Sequence, residues 1–350
     1  MKKYLVFIVL LLTIILTLST FLVACNDNNN DTVKEIKVVA PDGAPLLSLT
    51  YLFTEDVNYA EPYKVSYTKL PTADTLVASL MQKEADFAIA PINICALMYN
   101  NGSGYRFAGV SIWGIMHIVS SEESPTLESM KGEIILAFTK AGTPGITLRS
   151  VLQQNNIEFE ELNSIDDEFP SNKVGILYQT DASEVASALR AGELDGVEIK
   201  YALLPEPVST AIAGATSQKY TAKINLQTIW EEKNGFSYPQ AGLIFHERLL
   251  ENDKAFVDSF ISYVKESTQW AYTNPFDAGD RAKNILESAS IPNGTIVKNA
   301  VDAGRLPLDF KTAIESKAAV DSYLSIILNS TPTLINGKLP DSDFYYDPSN

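Results

Sequence analysis

The chain has 350 residues, with 27 lysines and arginines against 43 aspartates and glutamates and a formal net charge of −16. That length is enough for two packed lobes. Such an acidic surface repels phosphate backbones and offers no polybasic patch to anionic lipid, so nucleic acid is not an expected partner.

In chain order, the first element is a charged pair, Lys2 and Lys3, followed by an apolar run from Tyr4 to Val23 and the tetrapeptide Leu22-Val23-Ala24-Cys25. Residues 1–24 read as a signal peptide. The competing reading is a membrane-spanning anchor, since roughly 20 apolar residues cross a bilayer. Leu, a small residue and Cys resemble the bacterial lipobox, which would make Cys25 the lipidated first residue of the mature chain. The polar "NDNNND" behind it has no reason to fold, so 25–34 is lipid attachment plus tether. Cleavage leaves 350 − 24 = 326 residues, and losing both lysines takes the charge to −18. One acyl chain holds weakly, so stable anchoring needs several. Beyond Cys25 only Cys95 remains, in the apolar "PINICALMY", where an inert buried thiol is expected.

Strand-length apolar runs follow: "IKVVA", "KVSYTKL", "DFAIA", "RFAGVSI", "EIILAF", "VGILYQ" and "AGLIF". Between them lie segments of helical period. One face gathers Leu76, Leu80 and Met81, another Ile146, Leu148, Val151 and Leu152, a third Val185, Ala188 and Leu189. Strands alternating with such helices specify an α/β protein with parallel or mixed sheets.

Two internal repeats organise the chain. Gly43-Ala44-Pro45-Leu46-Leu47-Ser48-Leu49 aligns without gaps on Gly142-Thr143-Pro144-Gly145-Ile146-Thr147-Leu148, each after an apolar run. At a similar offset Leu80, Glu84 and Asp86 meet Leu189, Glu193 and Asp195, and each copy later reaches a proline, Pro91 or Pro205. The second copy carries an insertion near "VEIKY". The spacing is that of a lobe. Lobe one is expected over 35–119 plus 238–350 and lobe two over 120–237, with the long C-terminal helical segments on lobe one and "DSDFYYDPSN" as a surface strap.

The lipobox, "KEADFAIAP", "FAGVSIWGIMHIV", "ESMKGEIILAF…GTPGITLRSVL" and "ALRAGELDG…LPEPVSTA" together resemble ABC-transporter solute-binding proteins of the NMT1/THI5-like group, which includes sulfonate, nitrate and taurine binders. The resemblance covers most of Glu35 to about Leu250. It implies a type II periplasmic-binding fold: two α/β lobes, two crossing segments and a ligand cleft between them. An ABC permease with its ATPase is the partner such a protein would dock; the chain is further expected to be a monomer held by lipid on Cys25 outside the bacterial cytoplasmic membrane, with no cofactor and, from its histidine spacing, no metal.

In open α/β sheets, ligands bind beyond the carboxyl ends of the strands. There a glycine turn admits a ligand to the backbone, and the following helix start offers unpaired N–H groups; a proline in the first turn costs nothing. Asp42, Gly43, Ala44 and Pro45 are thus one expected jaw, and Gly142, Thr143, Pro144 and Gly145 the other; two ordinary βα turns are the alternative. Asn93, past a strand end, offers donors and acceptors. Trp113 either stacks on a flat ligand or packs the hinge. Glu206, flanked by prolines, either accepts from a cationic or amino ligand or is a solvated loop residue. Tyr178 and Tyr238 complete the candidate ligand-binding set, and His117 reads as a core histidine. Arg149, two helical turns beyond Gly142, points elsewhere. The helix starts favour a sulfonate-like anion, whereas Asp42 and the aromatics favour a heterocycle such as a vitamin precursor.

Catalysis has little to stand on. His117 and His246 make no HExxH spacing, and neither a GxSxG elbow nor a GxxxxGK loop occurs, so the chain is not expected to be an enzyme. Enzymes of the same fold acting on pyrimidine or menaquinone precursors, and a surface sensor or adhesion lipoprotein, remain as alternative functions.

Overall fold

The computed structural model describes residues 33–349 except Asp56. The signal peptide, Cys25 and nearly all of the tether expected above lie outside the described residues.

The strands form two six-stranded sheets and one hairpin. The first sheet runs, in spatial order, Leu308–Thr312 (β14), Tyr105–Trp113 (β4), Pro239–His246 (β13), Phe87–Pro91 (β3), Lys34–Pro41 (β1) and Tyr63–Leu70 (β2). The second runs Thr221–Asn225 (β12), Met116–Ser120 (β5), Tyr201–Pro205 (β11), Ile134–Phe138 (β6), Val174–Gln179 (β8) and Phe159–Leu162 (β7). Strand β1 pairs in parallel with β2 and β3, and β13 runs antiparallel beside β3. In the same way β6 pairs in parallel with β8 and β11, and β5 runs antiparallel beside β11. The two internal repeats therefore fall at equivalent places: β1 matches β6, and β3 matches β11.

Residue type explains which strands are central. Strands β3 (FAIAP) and β11 (YALLP) are unbroken apolar runs, buried but for their final prolines, as strands covered on both faces must be. Edge strand β2 (YKVSYTKL) instead alternates between half-buried and exposed positions.

The repeats also diverge. In the first copy, helix Ala73–Met81 leads through Asp86 directly into β3. In the second, helix Ala182–Ala191 ends on left-handed Gly192, and a small hairpin, Glu193–Leu194 (β9) with Val197–Glu198 (β10), precedes β11. Its turn residues Asp195 and Gly196 both have positive φ, 51° and 83°, the geometry of a tight hairpin turn. Asp195 is thus a turn residue. Asp86 accepts from the Lys37 N–H at 2.8 Å and pairs with Arg248 at 2.7 Å. Met81, expected on the apolar face, ends its helix 50% exposed.

The chain leaves the first sheet at Trp113 and enters the second at Met116, so the first crossing is Gly114–Ile115. Strand β5 belongs to the second sheet because Met116–Ser120 pairs in full register with β11, which moves the crossing ahead of the expected 119/120 division. The return crossing lies at 235–238, between helix Leu226–Asn234 and β13. Helices Lys254–Thr273 and Ala313–Ser330 pack on the first sheet. Two C-terminal elements also reach the other half: helix Gly294–Asp302 lies against Val208–Ala215, and Ala313–Ser330 against Thr143–Gln154. The tail is more than a surface strap. Phe344, Tyr345 and Tyr346 are buried, Phe344 stacks on Phe107 at 5.2 Å, and the Tyr346 N–H donates to the Phe107 carbonyl at 2.9 Å. Three aromatic rings at the chain end bury area that a surface strap would not, and the Tyr346 hydroxyl also donates to Asp258 at 2.6 Å.

Candidate functional site at the seam between the sheets

The carboxyl ends of β1, β3, β6 and β11 meet at one seam, where the two halves touch through polar side chains. Thr143 Oγ1 lies 3.3 Å from Asn93 Oδ1 and donates to it. Thr147 Oγ1 and the Tyr323 hydroxyl are 3.0 Å apart. Glu206, past the end of β11, has a side chain with no exposed surface. Its Oε1 accepts from Arg305 Nε at 2.7 Å and its Oε2 from the Thr210 N–H at 3.2 Å. Arg305 Nη2 also donates to Thr210 Oγ1 at 2.8 Å. An aromatic trio sits beside the crossings: Tyr238 stacks on Tyr323 at 6.0 Å, and Trp230 meets each edge-on at 5.5 Å. The Tyr238 hydroxyl accepts from the Met116 N–H at 3.1 Å. Burial pushes the Tyr238 and Tyr323 hydroxyls far above the usual tyrosine range, so both stay protonated donors.

The fold is shared with solved proteins. An ABC transporter structure from Parabacteroides distasonis superposes with a TM-score of 0.70 at 22% identity, over 89% of this chain and 98% of that one. The periplasmic aliphatic sulphonate binding protein SsuA from Escherichia coli gives 0.65 at 12% identity, over 90% and 92%. The ligand binding component of an ABC-type import system from Staphylococcus aureus, with zinc bound, gives 0.63 at 13%, over 90% and 97%. The chain has the periplasmic-binding-protein fold. No protein-family model matches the sequence, and no curated protein sequence does either.

Within this periplasmic-binding fold the expected jaws differ in build. The second is one continuous helix, Thr143–Gln154, capped by extended Gly142. The first breaks into Ala44–Leu47 and Thr50–Thr54, with Gly43 at φ +107°. Ser48 Oγ donates to the Pro45 carbonyl and Thr50 Oγ1 to that of Leu46, local bonds that compete with helix continuation. Thr143, Pro144 and Gly145 are buried. A Cβ on Gly145 would stand 2.5 Å from the Lys140 carbonyl oxygen, so this glycine answers to its own loop.

Several expected contacts are made by the chain itself. Asp42 accepts from the N–H groups of Ala289 (2.8 Å) and Ser290 (3.1 Å) and from the Ser288 hydroxyl. Its acceptors pin loop 288–290, which corrects the reading of Asp42 as a seat for a ligand's donor or positive group. Trp113 takes its packing role: Nε1 donates to the Asp309 carbonyl at 2.8 Å, and the Lys311 ammonium lies 5.5 Å from the ring centre. Glu206 is neither free for a cationic ligand nor solvated, because Arg305 reaches it across the seam. The Tyr178 hydroxyl accepts from Arg149 at 2.9 Å, and Arg149 also donates to the Lys140 carbonyl at 3.0 Å. Cys95 is fully buried, and burial holds its thiol protonated, so it is no nucleophile.

Sequence reasoning missed Arg305, Tyr323, Trp230, Gln227 and Ser209. The first two reach the seam from C-terminal helical segments that carry no repeat. Trp230 and Gln227 follow a strand end, at Asn225, and that position was their only signal.

The seam also holds buried polar atoms without a partner: His117 Nε2, Ser209 Oγ, Gln227 Oε1, Trp230 Nε1 and Gln240 Oε1. These are five of the ten unpartnered buried polar atoms among the described residues; buried polar groups are nearly always paired, so each calls for a partner from water or a ligand. Among the described residues no cluster of three His, Cys, Asp or Glu side chains could hold a metal, and no helix is long and apolar enough to cross a membrane.

Proposed function

We propose that this chain is the solute-binding component of an ABC importer. It captures a small organic molecule between its halves, closes by rotation about the crossings at 114–115 and 235–238, and presents the closed form to a permease driven by a cytoplasmic ATPase. It acts as a monomer outside the bacterial cytoplasmic membrane, held there by lipid on Cys25, and belongs to the NMT1/THI5-like group. The proposed lobes start from the sequence division, 35–119 with 238–350 and 120–237, with the first boundary moved to the crossing at Gly114–Ile115.

One observation carries the reading: unpartnered buried polar atoms, His117 Nε2 and Gln227 Oε1 among them, lie on the segments where the chain crosses between two α/β sheets. The binding-protein neighbours support it, since the E. coli protein named for aliphatic sulphonate shares the fold. Candidate ligand contacts are Asn93, Thr143, the backbone around Gly142 and the aromatic seam.

The test is thermal denaturation of the purified chain against sulfonates, nitrate, pyrimidines and vitamins. A ligand at 100 times its Kd adds about 2.7 kcal/mol to the native state. If no compound shifts the melting temperature and none stimulates a permease–ATPase pair in the chain's presence, the proposal fails. Turnover of any compound would favour an enzyme instead. Anchoring is tested separately, by labelled palmitate incorporation that Cys25→Ala abolishes.

A further inference from the structure

The orphaned atoms at the seam have a polarity. His117 Nδ1 lies 3.1 Å from the Ile115 carbonyl oxygen. A carbonyl only accepts, so Nδ1 carries the hydrogen, and in the neutral ring Nε2 is then a bare lone pair. Burial holds that ring neutral. Gln227 Nε2 donates to Glu231 Oε1 at 3.3 Å. The carboxylate fixes which way the amide faces and leaves Gln227 Oε1 as an unpartnered acceptor. Gln240 Oε1, in a residue 8% exposed, is a third. Against these acceptors stand one unpartnered N–H, that of Trp230, and the Ser209 hydroxyl, which can donate or accept.

Two of these groups, His117 and Gln227, lie at the first crossing. Gln227 Oε1 would lie 1.7 Å from a Cβ built on Gly114. The Ile115 carbonyl also accepts from the Glu206 N–H at 2.9 Å. His117 sits opposite Asn225 in the β5–β12 ladder, and Pro239, next to Gln240, sits opposite Trp113. The seam's ionic groups are already matched. Arg305 is bound to Glu206 and Thr210, and Arg149 pairs with Glu161 at 3.5 Å and also donates to Tyr178 and the Lys140 carbonyl. Neither arginine is free to neutralise an oxyanion, which would also face bare acceptor lone pairs.

We infer that the solute is uncharged and hydrogen-bond-donating, presenting at least two N–H or O–H groups to His117 and Gln227 at the first crossing, and that it is not an oxyanion. The inference rests on the solute-capture reading and assigns the ligand's chemistry. Donors on the solute supply what the chain leaves unmet, and the Trp230 N–H takes one acceptor in return. Glu206 and Arg305 act as a self-neutralised wall that disfavours solutes of either charge, since burying an unpaired ion beside them has no compensation.

The purified full chain is incubated with yeast extract, washed and denatured, and the released small molecules are identified by mass spectrometry. Cytosine, nicotinamide and ethanesulfonate are titrated calorimetrically in parallel. The expected result is a retained or titrating neutral compound with two or more donors. Its Kd rises at least tenfold in Gln227→Leu and is unchanged in surface control Lys298→Ala. Unaltered affinity in a folded Gln227→Leu overturns the inference. A retained sulfonate, carboxylate or phosphate overturns it too, while leaving solute capture standing. If the extract leaves nothing bound and no probe titrates, solute capture itself fails and the inference falls with it.

Discussion

Arg305→Met tests whether the Glu206–Arg305 pair holds the two halves together. Methionine keeps an apolar stem of similar reach and removes the guanidinium, with its 2.7 Å bond to Glu206 and 2.8 Å bond to Thr210. Glu206, whose side chain has no exposed surface, is left buried and uncompensated. Removing one partner of a buried pair costs about 3–5 kcal/mol. Arg305 is 29% exposed on its side chain, so water reaches the vacated position and the lower end, about 3 kcal/mol, applies. That cost falls only on the closed arrangement, because parting the halves hydrates Glu206. At about 1.4 kcal/mol per tenfold, the closed-to-open ratio falls roughly a hundredfold. Spin labels on Asp74→Cys and Glu193→Cys, one exposed site in each half, report the distance by pulsed electron resonance. Arg305→Met shifts the distribution to longer values, and adding Glu206→Gln restores much of the short population by removing the stranded charge. An unchanged distribution in Arg305→Met, or an equal shift in Lys298→Met on the neighbouring helix, refutes the reasoning.

Gly114→Ala places a methyl 1.7 Å from Gln227 Oε1 and 2.5 Å from the Tyr238 ring. Overpacking of this kind costs about 1–3 kcal/mol, read as a lower urea midpoint at unchanged slope. Asp42→Ala releases the Ala289 and Ser290 N–H groups, costing about 2 kcal/mol, and hydrogen exchange at both amides accelerates while the β3 amides hold. His246 is pushed down from its ordinary 6.5 to about 4, first by burial and then by the positive charges of Arg248 and Lys83. Because the folded value is the lower one, the unfolded chain takes up the proton first. Stability from this group is complete above about pH 6.5 and lost as pH falls toward 4, by on the order of 3 kcal/mol. His246→Gln flattens that part of the stability–pH curve, and a slope identical to the parent's would place the acid sensitivity elsewhere.

The fold was legible because it repeats. Glycine–proline turns after apolar runs, and twin helix–strand units ending in Pro91 and Pro205, mark the same two stations in each sheet. Strand-length apolar runs marked strands, whereas the central position of β3 and β11, buried on both faces, belongs to the tertiary structure. The details that failed were those set by a partner far away in sequence. Asp42 looked like a ligand contact because loop 288–290, which consumes its oxygens, lies some 245 residues on. Glu206 looked free because nothing near it in sequence announces Arg305.

Local residue pattern alone determined the α/β class, the two-lobe plan and the places where strands end toward a common seam. These follow from side-chain period and turn chemistry, which act within a few residues. Only the tertiary structure decided which polar atoms at that seam are spent on the chain and which are left over. Hydrogen-bond satisfaction is a property of groups brought together from distant segments, and the unmet acceptors of His117 and Gln227 exist only once the crossings have folded.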